Sequence, residues 1–222
     1  SRFGKVYLKL FLEEKQAAVR VFLDCSASMA QPEKFLQAKA LAAALSYPPL
    51  RGNDQVEFFS WNSSLQTMKK DIRRTDQFLS LLEWLDLQEA KGTTDPFLAL
   101  QQAQPYRRGM TILISDFLVD ADWKKILQFL RYQKQEILLV QVLSEEELHP
   151  ALNGTVRFVD KESGESQDLE IDSIALAAYE KALSKLQTDL LEMCKKEGAY
   201  FACCSEKDPL LFAAQKILYR RS

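Results

Sequence analysis

Hydrophobic positions along the chain follow two alternating patterns. Short, nearly continuous apolar runs such as "AVRVFLD" (18–24), "MTILISD" (110–116) and "EILLVQVL" (136–143) alternate with stretches where apolar residues recur every three or four positions. The first pattern suits strands covered on both faces, and the second suits helices that bury one stripe. Strands are predicted at 6–14 ("VYLKLFLEE"), 18–24, 55–61 ("QVEFFSW"), 110–116, 136–143 and 199–204 ("AYFACC"). Helices are predicted over 33–46, where Phe35, Ala38, Ala42 and Leu45 share a face, and over 76–87, 95–104, 122–133, 173–197 and 208–219. Strands and helices in alternation predict an α/β fold: a central, mostly parallel sheet flanked by helices, with the three most apolar strands in the middle.

Three segments need separate treatment. In "TVRFVDKESGESQDLEI" (155–171), apolar pairs flank a polar centre holding Ser163 and Gly164, which predicts a β-hairpin added to the alternating pattern. Tyr179, Leu183, Leu186, Leu190 and Met193 form a stripe too short for a dimerising coiled coil, so it is expected to pack on the sheet. The acidic run Glu145, Glu146, Glu147 reads as a solvated loop.

With 222 residues, 47% of them hydrophobic, the chain can bury one sizeable core, and a single unit spanning 1–222 is expected. The formal net charge of −2, without a basic stripe, argues against a nucleic-acid partner. Cys25, Cys194, Cys203 and Cys204 have neither metal-ligand nor CxxC spacing, and reduced thiols are expected. No apolar run reaches the roughly 18 residues of a membrane-spanning helix, and no signal-peptide pattern opens the chain, so a soluble, cytoplasmic location is expected. Because the chain begins at Ser1 and enters a strand-like run almost at once, it reads as a fragment of a longer protein. That leaves room for a membrane anchor or another domain upstream.

The chemistry is concentrated at strand ends. Asp24 closes one apolar run and is followed by Ser26 and Ser28 at alternate positions; Asp116 closes another, and Thr94 lies in "GTTDP", just before a predicted helix. In an open parallel sheet, ligands bind beyond the carboxyl ends of the strands, where the strand order changes direction. Asp24, Ser26, Ser28, Thr94 and Asp116 can therefore meet at one edge. An all-oxygen set with two carboxylates suits a hard cation, Mg²⁺ or Mn²⁺, with a coordination position left for an acidic side chain of a partner. Read alone, "DCSAS" also fits a helix cap, since Ser and Asp are favoured there. Asp95 reads as the cap of the helix opening at Pro96, and His149 as a polar loop residue.

"DCSAS" (24–28), Thr94 in "KGTTDPFLAL" and Asp116 in "ILISDF" resemble the three parts of the metal-ion-dependent adhesion site of von Willebrand factor type A domains. The second part departs from that pattern, with Thr93 where a second glycine is usual. Thr94 is the residue that aligns, by its distance to Ala99 and Leu100. "YLKLFLEEK", "GNDQVEFFSW", "DKESGE" and the closing run from "AAYEKALSKL" to "ILYRR" narrow the resemblance to the bacterial domain of unknown function 58.

The resemblance implies a three-layer, Rossmann-like fold. Ser26, Ser28 and Thr94 would coordinate directly, and Asp24 and Asp116 largely through water. It also implies a role as partner or adaptor of a MoxR-type AAA+ ATPase in protein complex assembly. No enzymatic activity is expected. Two other readings stay open: a Mg²⁺-dependent phosphohydrolase using Asp24 as nucleophile, weakened by Ser26 standing where a second carboxylate would help, and a structural domain whose metal site does not function.

Overall fold

A computed structural model describes residues 18–150, 154–159, 166–171 and 173–219. The strand predicted at 6–14 lies outside the described residues. The sheet is built from β1 (Ala18–Asp24), β2 (Gln55–Trp61), β3 (Leu65–Ile72), β4 (Gly109–Ser115), β5 (Gln135–Leu143) and, last in the chain, β8 (Tyr200–Ser205), in the order β3-β2-β1-β4-β5-β8. All neighbours are parallel except β2 and β3. The helices are α1 (Pro32–Arg51), α2 (Phe78–Asp86), α3 (Pro96–Gln102), α4 (Trp123–Tyr132), α5 (Glu145–Leu148), α6 (Ser173–Glu197) and α7 (Leu210–Tyr219).

Strand alternation sends successive side chains of β1 to opposite faces, and both faces are dry. Val21 and Leu23 join Phe58, Ile112 and Val140 under α1, α2 and α7, whose Ala38, Leu41, Leu81 and Ala213 complete that layer. Phe22 faces the other way, stacked on Phe59 with ring centroids 4.5 Å apart. It packs with Leu113, Leu139, Leu127 and Leu190 under α3, α4 and α6. The result is a three-layer α/β fold with β1 and β4 at its centre. Leu190 is buried and Leu186 half-buried, so the stripe of α6 does pack inward. β6 (Gly154–Val159) and β7 (Ser166–Ile171) pair antiparallel as a separate two-stranded sheet, in agreement with the hairpin expected at 155–171.

The sequence pattern and the structure differ at β3, at the end of α1 and at the acidic run that forms α5. β3 was not expected, because "LQTMKKDI" is mostly polar and its side chains are largely exposed. Among the described residues it is the antiparallel edge of the sheet, where burial leaves little periodic signal. α1 runs to Arg51 and does not stop at 46, although Pro48 and Pro49 remove two amide donors. Its last turn is held by the Gly52 amide, which donates to the carbonyls of Pro48 and Pro49, and by the burial of Leu50.

Two expected outcomes follow from the packing. Gly109 opens β4 opposite Ala18, and a Cβ there would lie 2.0 Å from the Ala18 carbonyl oxygen, a backbone atom that cannot swing away. Gly109→Ala is expected to destabilise the fold by about 2–3 kcal/mol, read as a lower urea midpoint at unchanged slope. A midpoint equal to that of the native protein would contradict the close approach. Burial also pushes the Cys25 and Cys194 thiols up to about 12, with the charge of Asp24 adding to the effect on Cys25. Since the thiolate is the reactive form, alkylation of the folded protein should modify half-buried Cys203 first and leave Cys25, Cys194 and Cys204 for the denatured state. Peptide mapping of labelled protein reads the order.

Candidate metal centre

The strand order reverses between β1 and β4: the chain leaves β1 toward β2 and β3, then returns to build β4, β5 and β8 on the other side. The parallel register pairs Leu23 with Ile114, which sets Asp24 beside Ser115 at the carboxyl edge. Ser115 Oγ donates to Asp24 Oδ2 at 2.6 Å, and the Ser26 amide donates to Oδ1 at 2.9 Å. Beyond Asp24 the chain makes a single 3-10 turn, Ala27–Met29, closed by the Met29 amide donating to the Ser26 carbonyl. That turn places the Ser26 and Ser28 hydroxyls 3.1 Å apart.

The loop carrying Thr94 is sewn to this turn by its backbone. The Ala27 amide donates to the Gly92 carbonyl and the Lys91 amide to the Cys25 carbonyl, each at 2.8 Å. Gly92 has φ +78°, a conformation that side-chain-bearing residues rarely adopt. Thr94 is half-buried and its Oγ1 accepts a 3.2 Å hydrogen bond from Trp61 Nε1, whereas Thr93 is exposed. A threonine hydroxyl has two acceptor positions, so the bond from Trp61 leaves one for another group. Asp95 caps α3 by accepting from the Leu98 amide.

Asp116 follows β4 directly. Its Oδ1 accepts from the Leu118 amide at 3.1 Å and its carbonyl from Gln141 Nε2 at 2.8 Å. The next residue, Phe117, is fully buried at φ +56°, a costly conformation for an aromatic residue, and packs edge-on against Trp123 at 4.8 Å. Oδ2 of Asp116 accepts from Lys34 Nζ at 2.9 Å. The same ammonium reaches the Ser28 carbonyl at 3.1 Å and Glu147 Oε1 at 2.7 Å.

Glu147 belongs to the acidic run expected to be a loop. The run forms α5, a one-turn helix closed by a capping box with Ser144, which turns Glu147 toward Lys34. His149 ends that helix and is exposed.

Burial of the carboxylate pushes Asp24 up to about 6; the Ser115 hydroxyl opposes this and the nearby charge of Asp116 adds to it. Among the described residues no lysine, arginine or histidine pairs with Asp24. A buried carboxylate without a counter-ion among the described residues, with two hydroxyls 3.1 Å from each other on the turn that follows it and a second carboxylate at the next strand end, is a donor set that fits a hard cation. Among the described residues there is no group of three or more His, Cys, Asp or Glu side chains able to hold a metal. A site here therefore depends on hydroxyls. A cavity of about 290 Å³ borders Thr94 between α3 and the loop after β4, lined by Phe97, Val119, Asp120 and Lys125 among others. A larger one, about 440 Å³ and flanked by Arg51 and Arg74, lies at the far end of α1 and touches none of these residues.

Lys34, Ser115, Glu147 and Trp61 are site neighbours that the sequence pattern did not single out. Lys34 carried a signal: it precedes Ala38, Leu41 and Leu45 by four, seven and eleven positions, on the stripe that α1 buries. A lysine at such a position needs a partner inside the fold.

Comparison with known proteins places the chain. The solved structure of the conserved hypothetical protein BatB from Bacteroides thetaiotaomicron superimposes with a TM-score of 0.55 at 14% identity, covering 93% of this chain and 100% of that one. An aerotolerance-related membrane protein from Bacteroides fragilis matches with a TM-score of 0.55 at 15% identity, over 91% of this chain and 99% of that one. The SpRpn10 VWA domain matches with 0.51 at 13% identity, over 90% and 94%. These likenesses establish a von Willebrand factor A-like fold.

An uncharacterized protein of Mycobacterium avium is 29% identical over 93 residues, 42% of this chain and 54% of its own length. An uncharacterized protein of Mycobacterium tuberculosis, Rv1480, is 24% identical over 202 residues, 87% of this chain. The chain spans 63% of Rv1480, so both curated relatives extend beyond what it covers. The family model described as "Protein of unknown function DUF58" matches residues 1–189, and the chain belongs to that family.

Proposed function

We propose that the chain is a non-enzymatic protein-binding module in which Asp24, Ser26, Ser28, Thr94 and Asp116 hold Mg²⁺ or Mn²⁺ for coordination by an acidic side chain of a partner. The observation that carries this reading is Asp24: a buried carboxylate, lacking a basic partner among the described residues, at the strand-order reversal beside the paired hydroxyls of Ser26 and Ser28. The bound ion would supply a hard electrophilic position that few protein charges neutralise, so a carboxylate from outside would meet it strongly.

The chain's own residues do the positioning. Ser115 and the Ser26 amide fix both oxygens of Asp24, Trp61 orients the Thr94 hydroxyl, and the Leu118 amide holds Asp116. The cavity bordering Thr94 gives an approaching segment room beside the site. The likeness to the family supports a MoxR-type AAA+ ATPase as the partner, with this chain as adaptor in complex assembly.

Calorimetric titration with Mg²⁺ and with Mn²⁺ tests the site. The native protein should bind one ion, and Asp24→Ala should lose about ten- to hundredfold in affinity or more. Equal binding by the two proteins, or none by the native one, would sink the metal reading. Gel filtration with a purified MoxR-type ATPase tests the partner. Co-elution should require divalent ion and fail with Asp24→Ala, and co-elution indifferent to chelator would separate the partnership from the metal.

A further inference from the structure

Lys34 is completely buried in the first turn of α1, and its ammonium uses all three donors: on the Ser28 carbonyl, on Asp116 Oδ2 and on Glu147 Oε1. Two of those three acceptors belong to residues assigned to the metal site. A fixed positive charge therefore stands within hydrogen-bond distance of one carboxylate proposed to hold a divalent cation, Asp116, and of the backbone of a second ligand residue, Ser28. Removing such a charge from water is costly unless its partners hold it well, which makes this lysine an unusual thing to bury without a role.

The charges around it are uneven. Asp24, Asp116 and Glu147 are three carboxylates, and Lys34 is the one cation paired with any of them among the described residues. It neutralises Asp116 but makes no ion pair with Asp24. Glu147 is the more exposed of its two partners, 26% against 2% for Asp116, and it reaches the site from α5 and not from a ligand loop. Glu147 thus draws part of the lysine's field away from Asp116.

We propose that Lys34 is a resident counter-cation that sets the affinity of the metal site by competing with the divalent ion for Asp116, and that Glu147 tunes the strength of this competition. The inference rests on the metal reading proposed above. It makes ion binding weak in the absence of a partner, because part of the protein's negative charge is already engaged. It also leaves a bound ion with more charge to offer a partner's carboxylate.

Substitutions that remove opposite charges test the idea by sign. Lys34→Met removes the competing cation and should tighten Mn²⁺ binding roughly tenfold, by the loss of a like-charge repulsion in a partly dehydrated site. Glu147→Gln leaves the lysine to act on Asp116 alone and should weaken Mn²⁺ binding several-fold. Glutamine at that position keeps the capping box of α5, so the helix itself is spared. Dissociation constants come from calorimetry, and the shift in melting temperature on adding Mn²⁺ gives a second readout.

A merely structural role for Lys34 would make both variants bind less well, and that result overturns the proposal. So does Glu147→Gln binding as tightly as the native protein, or more tightly. If Lys34→Met does not fold, Lys34→Gln, which removes the charge and keeps a donor for Asp116, takes its place: it should likewise tighten Mn²⁺ binding, and weaker binding overturns the proposal. Absence of ion binding by the native protein removes the metal reading and this inference with it. Binding that Asp24→Ala abolishes, together with Lys34 and Glu147 variants that move in the same direction, leaves the metal reading standing and removes only the inference.

Discussion

The in-register pairing of β1 with β4 is the constraint on which the rest of the site depends. Ala18 opposite Gly109 and Leu23 opposite Ile114 are ordinary parallel-sheet partners, buried on both faces. The same register brings two parallel strands to a common carboxyl edge, where Asp24 closes β1 and Asp116 follows β4. Shifting β4 by one residue would exchange the faces of all its side chains and separate Ser115 from Asp24. Gly109 helps to hold the register, since Ala18 comes too close for any side chain there.

Around this pair the fold manages a conflict between dry core and charge. One residue before Asp24, Leu23 is sealed among aliphatic side chains; two residues after it, the Ser26 amide must satisfy a carboxylate that is itself buried. Neutral donors meet Asp24, whereas a charged donor meets Asp116. The two acids are thus chemically distinct in spite of their similar positions at strand ends. Glutamine completes the lower shell: Gln141 Nε2 donates to the Asp116 carbonyl while its Oε1 accepts from Gln187, linking β4, β5 and α6 behind the site.

Much of the architecture was legible because it is written in short-range pattern. The apolar runs ending at Asp24 and Leu143 and the stripe of α1 each identify an element without reference to any other. β3 was not legible, since an edge strand with Gln66, Lys69 and Lys70 facing outward buries too little to impose alternation. The alternate spacing of Asp24, Ser26 and Ser28 survives in the 3-10 turn, so that part of the site could be read from local spacing. Ser115 lies 91 residues from Asp24, and Lys34 lies 82 from Asp116 and 113 from Glu147. Contacts at such separations belong to the topology, and a single sequence does not display them. The helical character of 145–148 was hidden for another reason: three consecutive acids suggest solvation, while the Ser144 capping box and the favourable place of acids in a first helical turn outweigh it.

The polar character that hid β3 also governs how the molecule can associate. An edge strand carries unpaired backbone groups on its outer side and can template another strand from a neighbouring molecule. Here that margin bears Lys69, Lys70 and Asp71, and Asp71 sits at φ +59°, a local twist that breaks the straight run a guest strand would need. At this end of the sheet, extension by strand addition is discouraged both by charge and by backbone shape. Charge and backbone shape thus work together against a continuous intermolecular sheet at that margin.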